Sequence, residues 1–461
     1  MKALAASSES PPRSRRAETL RLLGVRAARG RCPWRFDFDV DGIRLSAFFR
    51  PPAEIADDLH AEHVAPLAVP ILCDLAAQVR PRVVEVSPSC RLPPFGALFR
   101  DATGALLAEQ DAEWSRRSWT PLPRLEARFA HGAVDNPPLS RNRAVLGFSG
   151  GKDSIVSLYA LLGAGFDVIP VLLNEGDRTW QDTRRWIPRL RRLGLRPVSA
   201  YLMTGRRGEL VRRFGDFYLS SYQIGWLTTL LSLCAQRLGA AIVCLGIESS
   251  ANHTFERYRD RRVNHQYQKT TFHLGRLERF HRQCRGDALR IASPIATLSD
   301  TEVIDVLLTR VPPTQREFSS CGGANSQSKH CGRCEKCAFV FAVLHTTTEG
   351  RRVAKRVFRS NLLEDVELYR PWLDLRHRPP LACIGERSEV WAAFERLARD
   401  GSELPVVRKW RTCALRQRET TAPKSSRVAT SPRDSRQDRQ LAKPVERAHR
   451  LVRRWAREAD R

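Results

Sequence analysis

No stretch of the 461-residue chain approaches the roughly 18–20 uninterrupted apolar residues that a membrane-crossing helix needs, which excludes a helical span, and no membrane partner is expected. The Ser/Pro/Arg-rich opening has no apolar signal core, so a cytoplasmic location is expected. There is no Walker loop ending in Gly-Lys-Ser/Thr and no Gly-x-Gly-x-x-Gly, which sets aside two common glycine-rich phosphate motifs. Negative charge is scarce: 50 Asp and Glu face 77 Lys and Arg, a formal net charge of +27. Such an excess raises the possibility of nucleic acid, since basic surfaces bind phosphate by counterion release. Arginine predominates along the whole chain, however, and much of the excess lies near its C-terminal end. A solvated surface and a small, multiply anionic substrate therefore fit better. Of 12 cysteines, eight are scattered singly, and the four between Cys321 and Cys337 suggest a metal rather than a disulfide framework.

What is present centres on one stretch, Ala144-Val145-Leu146-Gly147-Phe148-Ser149-Gly150-Gly151-Lys152-Asp153-Ser154-Ile155-Val156-Ser157-Leu158. A short apolar run reads as a buried strand, breaks at Ser-Gly-Gly, and resumes as a helix with Ile155, Leu158, Leu161 and Leu162 on one face. Gly150 and Gly151 let backbone N–H groups approach a ligand, and the helix points its positive end the same way. Phosphate is the natural guest. Ser149 and Ser154 offer hydroxyls, Lys152 offers a charge, and Asp153 offers a helix cap or a carboxylate for magnesium.

From Arg143 strands and helices alternate, as a parallel sheet requires. Strands are expected over Asp167–Leu173, Arg196–Leu202 and Ala240–Ile247, with helices around Arg184–Arg192 and Tyr222–Leu238. Ser293-Pro294-Ile295 opens a fifth edge segment, and Ser299-Asp300-Thr301-Glu302 caps a further helix. Ligands of such sheets sit beyond the strands' carboxyl ends, so Ser149–Ser154, Asn174–Asp177 and Glu248–His253 are expected to border one crevice. Next comes Asn264-His265-Gln266-Tyr267-Gln268-Lys269-Thr270-Thr271, dense in hydrogen-bonding groups.

Before Arg143, alternation from Trp34 to Leu45 about an Asp41-Gly42 turn reads as a hairpin, followed by a helix over His60–Gln78 and a strand at Val83–Val86. A short helix is expected around Ala17–Ala28. The expected organisation is disorder over 1–29, a small α+β domain over 30–140, a nucleotide domain over 141–310, a cysteine cluster and helical region over 311–410, and a disordered basic tail over 411–461 carrying one last basic helix from Pro444 to Ala459.

Cys321, Cys331, Cys334 and Cys337 suit a closed tetrahedral zinc site, with an iron–sulfur cluster as the alternative that four thiolates also allow. His330 adjoins this set, but four thiolates already complete a zinc shell.

The six residues Ser149 to Ser154 resemble the signature of the PP-loop ATP pyrophosphatases. That resemblance implies a doubly wound parallel α/β sheet of the adenine nucleotide alpha-hydrolase type, here preceded by a small α+β domain and followed by the four-cysteine zinc cluster and a helical C-terminal region. It also implies ATP with Mg2+, bound through Ser149, Gly150, Gly151, Lys152, Asp153 and Ser154. Loop and cluster together resemble 7-cyano-7-deazaguanine synthase, which lacks both a domain before the loop and a folded segment from Ala338 to about Trp410. A resemblance covering more of the chain rests on Val263–Lys269, Ser320-Cys321, Cys331–Val340 and His377–Glu386. These segments resemble the UDP-N-acetyl-α-D-muramoyl-L-alanyl-L-glutamate epimerases.

That resemblance implies an ATP-dependent enzyme of peptidoglycan precursor synthesis, acting on UDP-MurNAc-L-Ala-L-Glu through an acyl-adenylate. The alternatives are an amidating PP-loop synthase and a basic RNA-binding module. An α-proton beside a carboxylate is barely acidic, whereas an acyl-adenylate can accept the charge as an enolate, and a positioned base and donor can then exchange the proton. Candidate proton-transfer residues are His265, Lys269, Tyr267, His253 and Glu248, with His265 and Lys269 the preferred pair.

Overall fold

The computed structural model describes residues 16–27, 33–113, 119–129, 137–174, 178–204, 207–214, 222–252, 256–258, 261–285, 288–319, 321, 330–374, 386–420 and 436–459. Ten strands form one sheet: β1 (Thr19–Ala27), β2 (Trp34–Val40), β3 (Ile43–Arg50), β4 (Val83–Val86), β5 (Arg124–Ala127), β6 (Ser140–Gly147), β7 (Asp167–Asn174), β8 (Val198–Thr204), β9 (Ala240–Cys244) and β12 (Arg290–Ala292). Their order is β12-β9-β6-β7-β8-β3-β2-β1-β4-β5, and β10 (Glu256–Tyr258) with β11 (Arg261–Val263) make a separate pair. Six of the nine neighbour pairings are parallel, so the fold is mixed α/β with a mostly parallel sheet.

The expected hairpin forms, with Phe38 opposite Leu45 and Val40 opposite Ile43. Its turn puts Asp41 at φ 47° and Gly42 at φ 86°, the left-handed pair that a two-residue hairpin favours. The Asp41 carboxylate accepts from Thr19 N at 2.8 Å, tying β1 to the same turn. Here the expected helix around Ala17–Ala28 is corrected: β1 is a strand, antiparallel to β2 and parallel to β4. Its expected disorder over 1–29 is corrected with it for the residues of β1. Leu20 and Leu22 are fully buried, and pairing on both sides overrides leucine's helical preference.

The region read as a unit of its own over 30–140 shares the sheet of the region that follows. β3 runs antiparallel to β8, with Phe49 opposite Leu202. Along β6 alternate side chains enter opposite cores, Val145 on one face of the sheet and Ala144 and Leu146 on the other. Helices cover both faces, which explains why β9, Ala-Ala-Ile-Val-Cys, is buried at every position. The fifth edge strand lies at β12, just before the expected Ser293-Pro294-Ile295.

The expected cap at Ser299 is present as a reciprocal pair: Glu302 N donates to Ser299 Oγ at 3.2 Å and Ser299 N to Glu302 Oε2 at 2.8 Å. The helix it starts, Asp300–Arg310, packs with the glycine-loop helix Lys152–Gly163 and with the basic helix Glu446–Ala459. The basic helix expected from Pro444 to Ala459 thus forms over Glu446–Ala459, with Ala448, Val452 and Ala456 buried, and the disorder expected over 411–461 is corrected for the residues that the helices Pro405–Thr420 and Arg436–Ala442 take from it. Gly163 makes room for the last helix: a Cβ there would lie 2.8 Å from Leu451 Cδ2. No helix among the described residues is long and apolar enough to cross a membrane.

Candidate active site

β6 delivers the glycine loop at its carboxyl end, where Phe148 N donates to Val171 O at 2.9 Å. Gly150 adopts φ +75°, and a Cβ there would lie 2.6 Å from Trp186 Nε1, so both backbone and space require glycine. Gly151 is the N-cap of the following helix, and Ser154 Oγ donates to Gly151 O at 2.9 Å. Thr183 Oγ1 donates to Ser149 O at 3.0 Å, and Ser319 N to Gly150 O at 3.3 Å. Beside Ser149 and Gly150 lies a cavity of about 220 Å³ that Arg185, Trp186 and Arg189 also line. Asp182 and Glu317 line it too and pair with those arginines, Arg185 with Asp182 at 3.2 Å and Arg189 with Glu317 at 4.0 Å, so the two guanidinium groups are balanced within the recess.

Lys152 turns inward from the loop. Its ammonium pairs with Asp153 Oδ1 at 2.6 Å and with Asp300 Oδ1 on the capped helix. Burial works against this charge, but the carboxylates of Asp153, Asp300 and Glu248 outweigh it and hold the ammonium's pKa above its ordinary value. The helix starts with no side-chain cap, so Asp153 serves as a lysine partner instead.

Glu248 follows β9 and is buried. Burial first, and then Asp300, push its pKa up to about 8, while Lys269 and Lys152 oppose the rise. Ser250 Oγ donates to Glu248 Oε2 at 2.8 Å. A second carboxyl, Glu389, comes from the helix Arg387–Arg399 and accepts from Thr301 N at 2.9 Å. Burial and Asp300 push it up to about 7. The cluster therefore joins the loop, β9, the capped helix and the C-terminal region.

The segment after β11 is a tight turn. Lys269 N donates to Gln266 O at 2.7 Å, and Lys269 Nζ to Gln266 Oε1 at 3.1 Å. Gln266 Nε2 reaches Ser250 Oγ at 3.5 Å, so Gln266 and Lys269 face the Glu248 side. His265 and Tyr267 go elsewhere, to the helix Gly96–Glu113. His265 Nδ1 pairs with Glu109 Oε1, and Tyr267 OH donates to Asp101 Oδ1. Burial first, and then Asp101, raise the Tyr267 pKa, so the ring remains a phenol that donates. Asp101 Oδ2 also pairs with His273 Nδ1 at 2.8 Å, and Tyr222 OH with His273 Nε2 at 2.6 Å.

Of the sequence-derived candidates, Glu248 and Lys269 are thus brought together beside Lys152, whereas His265 and Tyr267 are held by another helix. His253 and the loop 175–177 lie outside the described residues, as does the stretch 375–385, which covers most of the His377–Glu386 motif. Sequence reasoning placed Asp300 only in a cap and missed Glu389, Asp101 and Glu109. Asp101 and Glu109 carry no motif, because each acts across a tertiary contact, whereas Glu389 stands three residues after Glu386, whose N–H it accepts at 2.8 Å in a local helix cap, and reaches Thr301 besides.

The four expected cysteine thiols converge. All four sulfurs lie within 4.8 Å of one another, with Cys321 Sγ 3.5 Å from Cys334 Sγ and Cys331 Sγ 3.7 Å from Cys337 Sγ. A tetrahedral ion with bonds of about 2.3 Å needs sulfurs about 3.8 Å apart, so donor set and spacing fit zinc. Gly332 at φ +69° makes the turn, and Cys334 is the N-cap of the helix Glu335–His345. His330 packs among rings, 4.4 Å from the Phe358 centroid, rather than joining the thiol set.

Residues 314–425, which include this cluster and Glu389, match the MurL C-terminal domain. Three relatives carry the name UDP-N-acetyl-α-D-muramoyl-L-alanyl-L-glutamate epimerase. The one from Micromonospora sp. is 26% identical over 334 residues, 68% of this chain and 71% of that protein. The one from Salinispora tropica is 28% identical over 331 residues, 68% of this chain and 70% of that protein. The one from Xanthomonas oryzae pv. oryzae is 29% identical over 294 residues, 58% of this chain and 60% of that protein. With residues 314–425 matching the MurL C-terminal domain and a likeness over 68% of the chain to two of these proteins, the chain is similar to the UDP-N-acetyl-α-D-muramoyl-L-alanyl-L-glutamate epimerases.

Proposed function

We propose that the chain epimerises the terminal L-glutamate of UDP-MurNAc-L-Ala-L-Glu to D-glutamate, cleaving ATP to AMP and pyrophosphate, as a step of peptidoglycan precursor synthesis. The observation that carries this reading is the junction at Lys152. A glycine loop at the end of a parallel strand meets a buried acid–lysine cluster to which the MurL C-terminal domain contributes Glu389. In this reading the sheet from β6 to β12 is the doubly wound PP-loop type, and Ser149 to Ser154 hold the triphosphate. Mg2+ arrives on the nucleotide, because the nearby carboxylates Asp153 and Asp300 already face Lys152. The zinc, held by Cys321, Cys331, Cys334 and Cys337, is structural.

A substrate carboxylate oxygen attacks the α-phosphorus, and pyrophosphate leaves. The resulting acyl-adenylate lets the α-proton depart, because its carbonyl oxygen takes the charge. We assign the proton exchange to Glu248 and Lys269. A carboxyl with a pKa of about 8 can hold and release a proton near neutrality, and Lys269 supplies the facing ammonium. Return of a proton to the opposite face gives the D-isomer, and water then cleaves the mixed anhydride to the free acid and AMP.

The test is the reaction itself, run with ATP and UDP-MurNAc-L-Ala-L-Glu in deuterated water, with chiral analysis of the glutamate. Dipeptide-dependent pyrophosphate release together with D-glutamate carrying α-deuterium is expected. Absence of substrate-dependent release from folded, zinc-loaded protein sinks the reading, and ammonia-dependent amidation of a deazapurine acid would replace it.

A further inference from the structure

One helix of the N-terminal region, Gly96–Glu113, holds the 264–270 turn at two points that lie two helical turns apart. At one end Asp101 gathers Tyr267 OH, His273 Nδ1 at 2.8 Å and Arg276 Nε at 3.5 Å. At the other Glu109, only 4% exposed, pairs with His265 Nδ1. Both carboxylates are therefore spent on side chains of this turn and of the helix Thr271–Arg285 that follows it directly. Between the two grips, Gln266 and Lys269 point the other way, toward Ser250 and Glu248. Further anchors lock the turn: Gln266 N donates to Asn264 Oδ1 at 2.8 Å, and Ile224 N to Gln268 Oε1 at 2.8 Å.

Such a layout explains why residues of a remote region should matter to the crevice. Lys269 is long and flexible, and an ammonium free to wander loses most of its use in proton exchange, where a displacement of about 1 Å can cost about 100-fold. Pinning the backbone on both sides of Lys269 removes that freedom. We propose that Glu109 and Asp101 are positioning residues: through His265, and through Tyr267 and His273, they fix the 264–270 turn so that Lys269 stays at Glu248. The consequence for Lys269 rests on the function proposed above, while the grip itself stands on the contacts alone.

The full chain carrying Glu109→Ala, Asp101→Ala or the conservative Glu109→Gln would be compared with the unmodified protein in two measurements. In amide hydrogen exchange, Glu109→Ala and Asp101→Ala should each speed exchange of residues 264–271 by about tenfold or more while β6 and β7 keep their protection. In deuterated water, pyrophosphate release should stay within about threefold of the unmodified chain, while α-deuterium incorporation falls by about tenfold or more. Glu109→Gln, which keeps an oxygen for the Nδ1–H, should recover most of that loss. Unaltered exchange of 264–271 in both alanine variants overturns the proposal. So does an equal fall of pyrophosphate release and deuterium incorporation with a lowered melting temperature, which marks Glu109 as merely structural. An unmodified chain that shows no dipeptide-dependent pyrophosphate release rejects the epimerase reading instead, and the amide-exchange result then decides the grip independently.

Discussion

Glu248 lies beside two lysines and still keeps its proton toward pH 8, because desolvation and the Asp300 charge together exceed the pull of Lys269 and Lys152. The sign of the effect on stability follows. In the unfolded chain this carboxyl ionises near 4.5, so between about pH 4.5 and 8 the folded state binds the extra proton and stability falls as pH rises. Below that window the contribution is fully present. Glu389, raised to about 7, adds a second loss over a narrower range. Each proton is worth at most about 1.4 kcal/mol per pH unit. Thermal melts of Glu248→Gln should therefore decline less between pH 5 and 8 than those of the unmodified chain, and parallel curves would show that Glu248 is ionised in the folded state. In the proposed reaction the same variant should retain pyrophosphate release and lose α-deuterium incorporation by about 100-fold or more, since an amide cannot exchange a proton at that position.

The glycine loop illustrates how elements differ in what they demand of a residue. Gly150 and Gly165 have nearly the same φ, +75° and +76°, but a Cβ at 150 would meet the Trp186 indole whereas one at 165 would meet nothing within 4 Å. Gly165→Ala should cost about 1–2 kcal/mol of left-handed strain alone. Gly150→Ala should cost more and weaken ATP binding, because the Trp186 ring must move; urea unfolding and nucleotide titration of both variants would check the contrast. Equal costs would mean that Trp186 yields freely. The loop was legible because its chemistry is local, and so was the Ser299–Glu302 cap, whose two halves lie three residues apart. The helix Gly96–Glu113 was not. Gly96 and Gly104 interrupt its pattern, and it is covered by the helices Ala68–Val79 and Thr271–Arg285, so no single apolar stripe marks it. β1 misled in the other direction, since its leucines suit a helix until β2 and β4 claim both edges. For the site, the four thiolates were legible through their spacing, whereas the Lys152–Asp300 pair joins positions 148 residues apart and only folding reveals it.

At the scale of the molecule the candidate site draws on every region: the N-terminal helix with Asp101 and Glu109, the sheet with its loop, and the C-terminal domain with Glu389. The last helix backs this assembly from behind, with Arg453 3.6 Å from Glu302 of the capped helix. A chain ending at residue 435 would lose the buried Val445, Ala448, Val452 and Ala456, would uncover the faces of the helices Lys152–Gly163 and Asp300–Arg310 that the last helix covers, and should melt several degrees lower than the full chain. The cysteine cluster has a more direct link to the chemistry, because Cys321 lies two residues after Ser319, whose N–H donates to Gly150 O. A metal that fixes Cys321 therefore also steadies one wall of the 220 Å³ recess beside the loop. Metal analysis should find one zinc per chain, and Cys337→Ser should lose it. The metal-free protein should bind ATP about tenfold more weakly and become open to proteolysis near the cluster, since four-thiolate zinc contributes folding energy directly. Cys413→Ser, half-buried and outside the cluster, is the control expected to change neither metal content nor affinity. If the metal-free chain kept its full ATP affinity, the Ser319–Gly150 bond would carry no coupling, and the cluster would serve only to fold the C-terminal domain.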